Sequence, residues 1–236
     1  MLSAQQPQAP AAQPEDPIRT LVARLDLEKY KATVKGLTQF GDRRQGTDRN
    51  RAAIDWIEAQ LKSYGCTNTE RLKYDYQPPQ TTAGRGGQRG RGGRGGLPQK
   101  GFRAPTGVNN DPMKQPDEKL RELNAQPSTP GPREEVYCTK IGTTRPNEMY
   151  ILSGHMDGIG YGEAANDDGS GTAIVMELAR IFSMPDVKTD VSIRFILWNN
   201  EETGLNGARA YVEQRAKLVV DLVEYEIDPP VGEGID

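Results

Sequence analysis

The chain is poor in apolar residues, and no apolar run in it is long enough to span a lipid bilayer. Hydrophobic residues make up only 35% of its 236 residues and aromatic residues 6%, whereas glycine and proline number 26 and 17. Part of the chain therefore cannot pack into a core, although the length suffices for one or two domains. Residues 1–17 contain neither a basic nor an apolar region, so we do not expect a signal peptide there. A net charge of −3 argues against a generally nucleic-acid-binding surface.

Two segments of low complexity are predicted to be disordered. Residues 1–15 consist largely of Ala, Gln and Pro and have almost nothing to bury. Residues from about 77 to 133 form a Gly-, Arg- and Pro-rich insertion, whose centre at 84–96 reads GRGGQRGRGGRGG. Such segments cannot repay the entropy of ordering by burying surface, and we interpret the second as a flexible insertion between two strands.

Only two cysteines are present, Cys66 and Cys138, and each lies beside a predicted strand. The two strands should be neighbours in the sheet, so a disulfide bond is geometrically conceivable. Two buried thiols are an equally acceptable interpretation, and the sequence leaves both open.

Apolar periodicity predicts an alternating order of helices and strands. Helices are expected after Asp16-Pro17, at about 26–37, and between Thr47 and Gly65, where Ile54, Ile57 and Leu61 would face inward. Antiparallel strands are predicted at 71–76 and 134–142, followed by a buried strand at 148–153, a helix at 172–182, a central strand at 191–198 and a helix at 207–219. In the helix at 172–182, the side chains expected to face inward are Ile174, Val175, Leu178 and Ile181. A right-handed crossover between parallel strands, and thus an α/β fold, follows from this order.

Acidic residues and the single histidine of the chain stand where regular structure is predicted to stop. His155 and Asp157 follow one strand, Asp167 lies in the crossover before its helix, and Glu201 and Glu202 follow the next strand. Taken singly, each has a structural explanation as a turn, a cap or a charge at a helix start. The ends of parallel strands converge, however, and a divalent metal is the better account of several carboxylates in one place.

Three motifs at these positions resemble the co-catalytic di-zinc aminopeptidases, a family of bacterial leucyl-aminopeptidase-like enzymes related to the glutaminyl cyclases. They are GHMD at 154–157, ANDDGSG at 165–171 and NNEETGLNGA at 199–208, with the spacing between them. The resemblance extends from about residue 149 to 214. It implies a three-layer α/β/α domain with a mixed, mainly parallel sheet, the phosphorylase/hydrolase-like fold of zinc exopeptidases.

The resemblance also implies roles for individual residues. Asp167 would bridge two zinc ions, with His155 a ligand of one and Glu202 a ligand of the other. Asp157 would accept the imidazole N–H, and Glu201 would act as the general base. The reaction implied is hydrolysis of the N-terminal peptide bond of a peptide or protein by a metal-bound hydroxide. A cis peptide bond after Asp167 is implied as well.

The chain departs from the family after Gln214. In the family each zinc has one further protein ligand, a carboxylate on a later strand and a histidine near the C-terminus, and this chain has no second histidine. We therefore expect residues 16–236 to form a partial zinc-peptidase domain whose later strands are missing, leaving a sheet edge exposed. Such a chain should bind zinc weakly and hydrolyse little.

Three other functions stay open at this point. The Arg-Gly segment at 84–96 could contact RNA, the domain could be a non-catalytic interaction module, or the site could be a mono-zinc site of the glutaminyl-cyclase type. No membrane partner is predicted, and the oligomeric state is not readable. Because the family is mostly exported, the resemblance implies a secreted or periplasmic location.

Overall fold

The computed structural model describes residues 16–77 and 112–227, with side chains up to residue 217. The predicted disordered tail at 1–15, the Arg-Gly segment at 84–96 and the last nine residues lie outside the described part. Within it, no helix is both long and apolar enough to cross a membrane. The helices and strands are α1 (Pro17–Val22), α2 (Leu27–Thr38), α3 (Asp48–Ser63), β1 (Thr69–Tyr76), α4 (Glu118–Asn124), β2 (Gly131–Lys140), β3 (Arg145–His155), α5 (Gly171–Phe182), β4 (Val191–Trp198) and α6 (Asn206–Ile227).

The four described strands form one mixed sheet in the order β1-β2-β4-β3. Strand β2 pairs antiparallel with both β1 and β4, whereas β3 and β4 run parallel and are joined by the α5 crossover. The predicted α/β fold with a mixed sheet is thus confirmed, and one of the three described strand pairs is parallel.

Alternating side chains of the strands fill two separate hydrophobic clusters, one on each face of the sheet. Phe195 and Leu197 of β4 join the cluster against α3 and α5, and Ile196 joins the cluster that contains Tyr211 of α6. Three layers result, because successive residues of a strand point to opposite faces. The predicted inward stripe of α3 is confirmed, and its side chains are at most 1% exposed: Ile54, Ile57 and Leu61.

Helix α5 presents a face slightly different from the predicted one. Ile174, expected to point inward, is 51% exposed, whereas Met176 and Ala179 are completely buried. The expectation was wrong at this position because four consecutive apolar residues, 173–176, allow more than one inward stripe. The packing of α5 against β3, β4 and α2 selects the stripe.

Strand β3 was predicted to be buried, and the structure corrects this. Among the described residues it pairs only with β4, and its apolar side chains at the middle are exposed by 39–69%: Met149, Tyr150 and Ile151. An apolar run does not reveal whether a strand lies at the centre or at the edge of a sheet.

Part of the predicted disordered insertion is ordered. Helix α4 begins after Asp117, whose side chain caps it, and β2 begins at Gly131 rather than near 134. The prediction failed over 112–133 because polar hydrogen bonds fix this segment. Asn124, at the end of α4, is 3% exposed and donates to the backbone carbonyl of Gly162 at 2.9 Å.

Cys66 and Cys138 form a disulfide bond, which resolves the alternative left open by the sequence. Their Cα atoms lie 6.1 Å apart, and the bond links the end of α3 to strand β2 across 72 residues of sequence. Both cysteines belong to the core cluster between the sheet and α3.

Candidate metal centre

The parallel pairing of β3 and β4 brings two chain segments together at one edge of the sheet. His155, the last residue of β3, pairs with Trp198, the last residue of β4. One residue later the Met156 N–H still donates to the carbonyl of Trp198 at 2.8 Å. The polar residues that follow each strand therefore start from adjacent positions, at the strand ends where ligands of such sheets bind.

Three of the predicted site residues come together at this edge. His155, Asp167 and Glu202 each offer a ligand atom, and these atoms all lie within 4.8 Å of one another. The His155 Nε2 atom is 3.2 Å from Asp167 Oδ1 and 3.8 Å from Glu201 Oε2. The Asp167 side chain is 56% exposed and that of His155 is 15% exposed, so the group is open to solvent on one side.

The other nitrogen of His155 has a backbone partner. Nδ1 lies 2.9 Å from the carbonyl oxygen of Asp157, whereas the Asp157 carboxylate is 3.9 Å away. This differs from the implied role of Asp157, because its carboxylate instead accepts the N–H of Glu201 at 3.0 Å. When the ring is neutral and Nδ1–H donates to the carbonyl, the lone pair of Nε2 faces Asp167, as a metal ligand requires.

The acidic groups of the site oppose one another's ionisation. Burial raises the pKa of Glu202 to about 7, and the negative charge of Asp167 adds to this. Burial raises the pKa of Asp157 to about 6, although the Glu201 N–H acts the other way. The Oδ2 atom of Asp157 has no hydrogen-bond partner among the residues that the structure describes. Burial alone would lower the pKa of His155, but the charge of Asp157, the hydrogen bond to its carbonyl and the charges of Glu201 and Asp168 together outweigh burial, and the pKa is raised. A bound cation would relieve all three effects.

The turn that carries Asp167 is tied to the strand by its neighbour Asp168. The Asp168 carboxylate accepts the N–H of His155 at 3.0 Å and the N–H of Gly171 at 2.9 Å. The carboxylate fits there because residue 171 is a glycine: a Cβ atom at this position would lie 2.2 Å from the carboxylate oxygen. The peptide bond between Asp167 and Asp168 is cis, as the resemblance implied. The sequence analysis had assigned no role to the Asp168 side chain.

A second positioning element that the sequence analysis missed precedes Glu201. The amide of Asn199 is paired with that of Asn50 in α3, with both N–H···O distances 3.0 Å, and also donates to the carbonyl of Glu134. Asn199 and Asn50 are both buried, so this pair fixes the end of β4 against α3. A possible signal in the sequence was the pair of asparagines directly after an apolar strand.

The donor set fits a divalent metal ion. Two ligands of one tetrahedral zinc, each about 2.0–2.1 Å from it, lie roughly 3.3 Å apart, close to the 3.2 Å between His155 and Asp167. One imidazole with carboxylates is a chemistry that suits zinc. In the described part of the chain this group contains three residues, so the further ligands of the resembled family have no counterpart there.

Comparisons with known proteins find similarity to zinc peptidases. Residues 136–226 match the model of peptidase family M28. A probable zinc metalloprotease of Pyrenophora teres f. teres is 26% identical over 226 residues, covering 89% of this chain and 38% of that protein. Aminopeptidase YwaD of Bacillus subtilis is 30% identical over 122 residues, covering 52% of this chain and 26% of that protein. The resemblance to the zinc aminopeptidases is confirmed, and the chain spans about two fifths or less of the length of these relatives.

The fold is confirmed by a solved structure. The aminopeptidase from Aneurinibacillus sp. strain AM-1 superposes with a TM-score of 0.57 at 18% identity, over 83% of this chain and 68% of that one. At this identity the similarity concerns the arrangement of helices and strands.

Proposed function

We propose that the site described above belongs to a zinc-dependent aminopeptidase, which hydrolyses the N-terminal peptide bond of peptides or proteins. The observation that carries the proposal is the convergence of His155, Asp167 and Glu202 from three separate segments of the chain. The names of the relatives, zinc metalloprotease and aminopeptidase, support the same reaction class.

His155 would bind zinc through Nε2, and Asp167 and Glu202 through their carboxylates. Zinc in such a site polarises a carbonyl group and lowers the pKa of a water molecule. The three side chains suffice for one ion. A second ion would share Asp167 and take Glu202, and it would need a ligand that the described side chains do not supply. We therefore expect the described side chains to hold at most one ion firmly.

Glu201 is proposed as the general base. Its backbone N–H is held by Asp157, and its carboxylate oxygen Oε2 lies 3.8 Å from His155 Nε2, on the open side of the site. From there it can take a proton from a water molecule beside the ligands and pass it to the leaving amine. Its side chain is 33% exposed, which leaves room for that water and for the end of a peptide.

The experiment is to measure zinc binding and the release of a chromophore from aminoacyl p-nitroanilides on the same protein samples. Glu201→Gln should lower any hydrolysis by at least about a hundredfold, the scale of general-base catalysis, and leave the zinc dissociation constant within twofold. Glu213→Gln, at an exposed position of α6, is the matched control. Unchanged hydrolysis in Glu201→Gln would remove this residue as the base, and absence of zinc binding by the parent chain would refute the metal centre.

One further arm separates hydrolysis from the mono-zinc alternative. Because the described ligands suffice for a single ion, a substrate with an N-terminal glutamine should be offered alongside the aminoacyl substrates. Cyclisation of that glutamine without release of aminoacyl products would favour a cyclase over an aminopeptidase.

We also propose that the protein works in an oxidising compartment, as an exported enzyme would. The disulfide between Cys66 and Cys138 supports this, since such bonds persist outside the reducing cytosol. Mass spectrometry of protein isolated without reductant would show a mass two hydrogens lower than that of the reduced chain.

A further inference from the structure

Arg43, in the turn between α2 and α3, is completely buried. Its guanidinium group donates five hydrogen bonds, and every acceptor is a backbone carbonyl. Nε donates to Met156 at 2.7 Å, Nη2 to Ala164 at 2.7 Å, and Nη1 at 2.8–3.3 Å to Glu163, Gly41 and Leu37. The group thus links three places in the chain, its own turn, residue 156 and residues 163–164, and the last two lie 113–121 positions after Arg43.

Two of those segments carry the proposed metal ligands. Met156 directly follows His155, so the bond to its carbonyl fixes the chain where β3 ends. Ala164 opens the turn that contains Asp167, and its carbonyl also accepts the N–H of Gly169 at 3.0 Å. One planar group with rigid donor directions therefore sets the distance between these two segments.

This arrangement lowers the stability of the fold, because Arg43 is a buried charge without an ion pair among the described carboxylates. Burial lowers its pKa to about 10, and the nearby charges of Asp42, Asp157 and Asp168 only partly oppose this. Backbone strain adds to the cost: Arg43 and Ala164 both adopt positive φ angles, 52° and 44°. An apolar side chain would fill the same space without desolvating a cation.

Arg49 in α3 provides an internal comparison. It is buried to the same degree, but it pairs with the Asp42 carboxylate at 2.7 Å and otherwise bonds the carbonyls of Gln126 and Asn124. None of its bonds reaches residues 155–170. Arg49 is therefore an ordinary buried ion pair, whereas Arg43 bonds directly to the segments that carry the ligands.

We propose that Arg43 is a positioning residue of the metal centre. It holds the His155 strand end and the Asp167 turn at the separation that places their ligand atoms 3.2 Å apart. The inference rests on the proposed function only in taking this group to be the metal site.

The test uses the fact that His155 is the only histidine of the chain, so its ring signals in NMR spectra are unambiguous. The variants are Arg43→Met, which removes all five bonds, Arg43→Lys, which keeps the charge and part of the bonding, and Arg49→Met as control. Each is first checked for folding by circular dichroism. Arg43→Met should shift or broaden the His155 ring signals of the metal-free protein, whereas Arg49→Met should leave them in place.

The second readout is binding of Co²⁺, whose absorption spectrum reports ligand geometry, and of Zn²⁺. Arg43→Met should weaken binding by about ten- to hundredfold and change the Co²⁺ spectrum, the scale found when groups that orient metal ligands are removed. Arg43→Lys should fall between Arg43→Met and the parent, and it replaces Arg43→Met should that variant not fold. Arg49→Met should bind within twofold of the parent despite its lower stability.

Two outcomes would overturn the inference. One is a folded Arg43 variant with the ring signals and metal affinity of the parent, and the other is an equal loss in Arg49→Met. A parent protein that binds neither metal, with ring signals that do respond to Arg43→Met, would instead refute the metal-site assignment and leave the positioning intact.

Discussion

We expect the metal-free protein to lose stability as the pH rises, because strand β2 carries a buried acid, Glu135. Its side chain is completely buried. Among the described residues, Oε2 accepts a single hydrogen bond of 3.4 Å, from Asn199 N–H, and Oε1 has no partner. Burial raises its pKa to about 8, and the charge of Asp157 adds to the shift against the opposing N–H. Replacement by glutamine keeps the shape and removes the ionisation.

The sign and size follow from linkage between proton binding and folding. An acid with a raised pKa in the folded state binds more protons folded than unfolded, so stability falls as the pH rises between the two pKa values. With about 8 in the folded state and about 4.5 in the unfolded state, ionisation of Glu135 costs about 3 kcal/mol between pH 5 and pH 8. Glu135→Gln should remove this share of the pH dependence and be the more stable protein at pH 8.

The assay is urea unfolding at pH 5, 6, 7 and 8 in the presence of EDTA, for the parent, Glu135→Gln and the exposed control Glu213→Gln. Asp157 and Glu202 titrate in the same window, so the informative quantity is the difference between the parent and Glu135→Gln curves. That difference should grow by about 3 kcal/mol from pH 5 to pH 8. Parallel curves would show that Glu135 does not carry a raised pKa and would refute the reasoning.

Two further predictions concern the disulfide and the metal. Replacing both Cys66 and Cys138 by alanine should lower the free energy of unfolding by about 4 kcal/mol, since the bond closes a loop of 72 residues; identical urea midpoints would contradict this. Zinc affinity should fall at least about tenfold from pH 8 to pH 6, because protons compete for His155 and Glu202, whose pKa values are raised. Isothermal titration calorimetry between pH 6 and pH 8 measures the zinc affinity, and an affinity that does not change with pH would contradict this competition.

The sequence could predict that the candidate ligands lie close together, because their positions follow from strand ends. An apolar run that stops at His155 and another that stops at Trp198 suffice to bring two segments together, once the crossover makes the strands parallel. Asp167 then follows from its place directly before α5. Neither step needs knowledge of side-chain packing.

What could not be predicted are the contacts made by buried polar groups. Neither the burial of Arg43 nor that of Asn124 produces a periodic apolar pattern, so α4 was missed and the turn before α3 received no role. Strand β3 was misplaced because its apolar residues do not distinguish the sheet edge from its centre. The partner of His155 Nδ1 could not be predicted either, because the carbonyl of Asp157 lies only 1.0 Å closer to Nδ1 than the carboxylate of the same residue does.

The ligands and the groups that position them are encoded far apart in the chain. All three proposed ligands lie between residues 155 and 202, in the region that matches family M28. Their geometry depends on residues well upstream: Arg43 reaches Met156 across 113 positions, and Asn50 reaches Asn199 across 149. A fragment limited to residues 136–226 would contain every ligand and lack both of these contacts. The matched region therefore carries the proposed ligand atoms, and we expect contacts from the N-terminal helices and the turn between them to set the distances between those atoms.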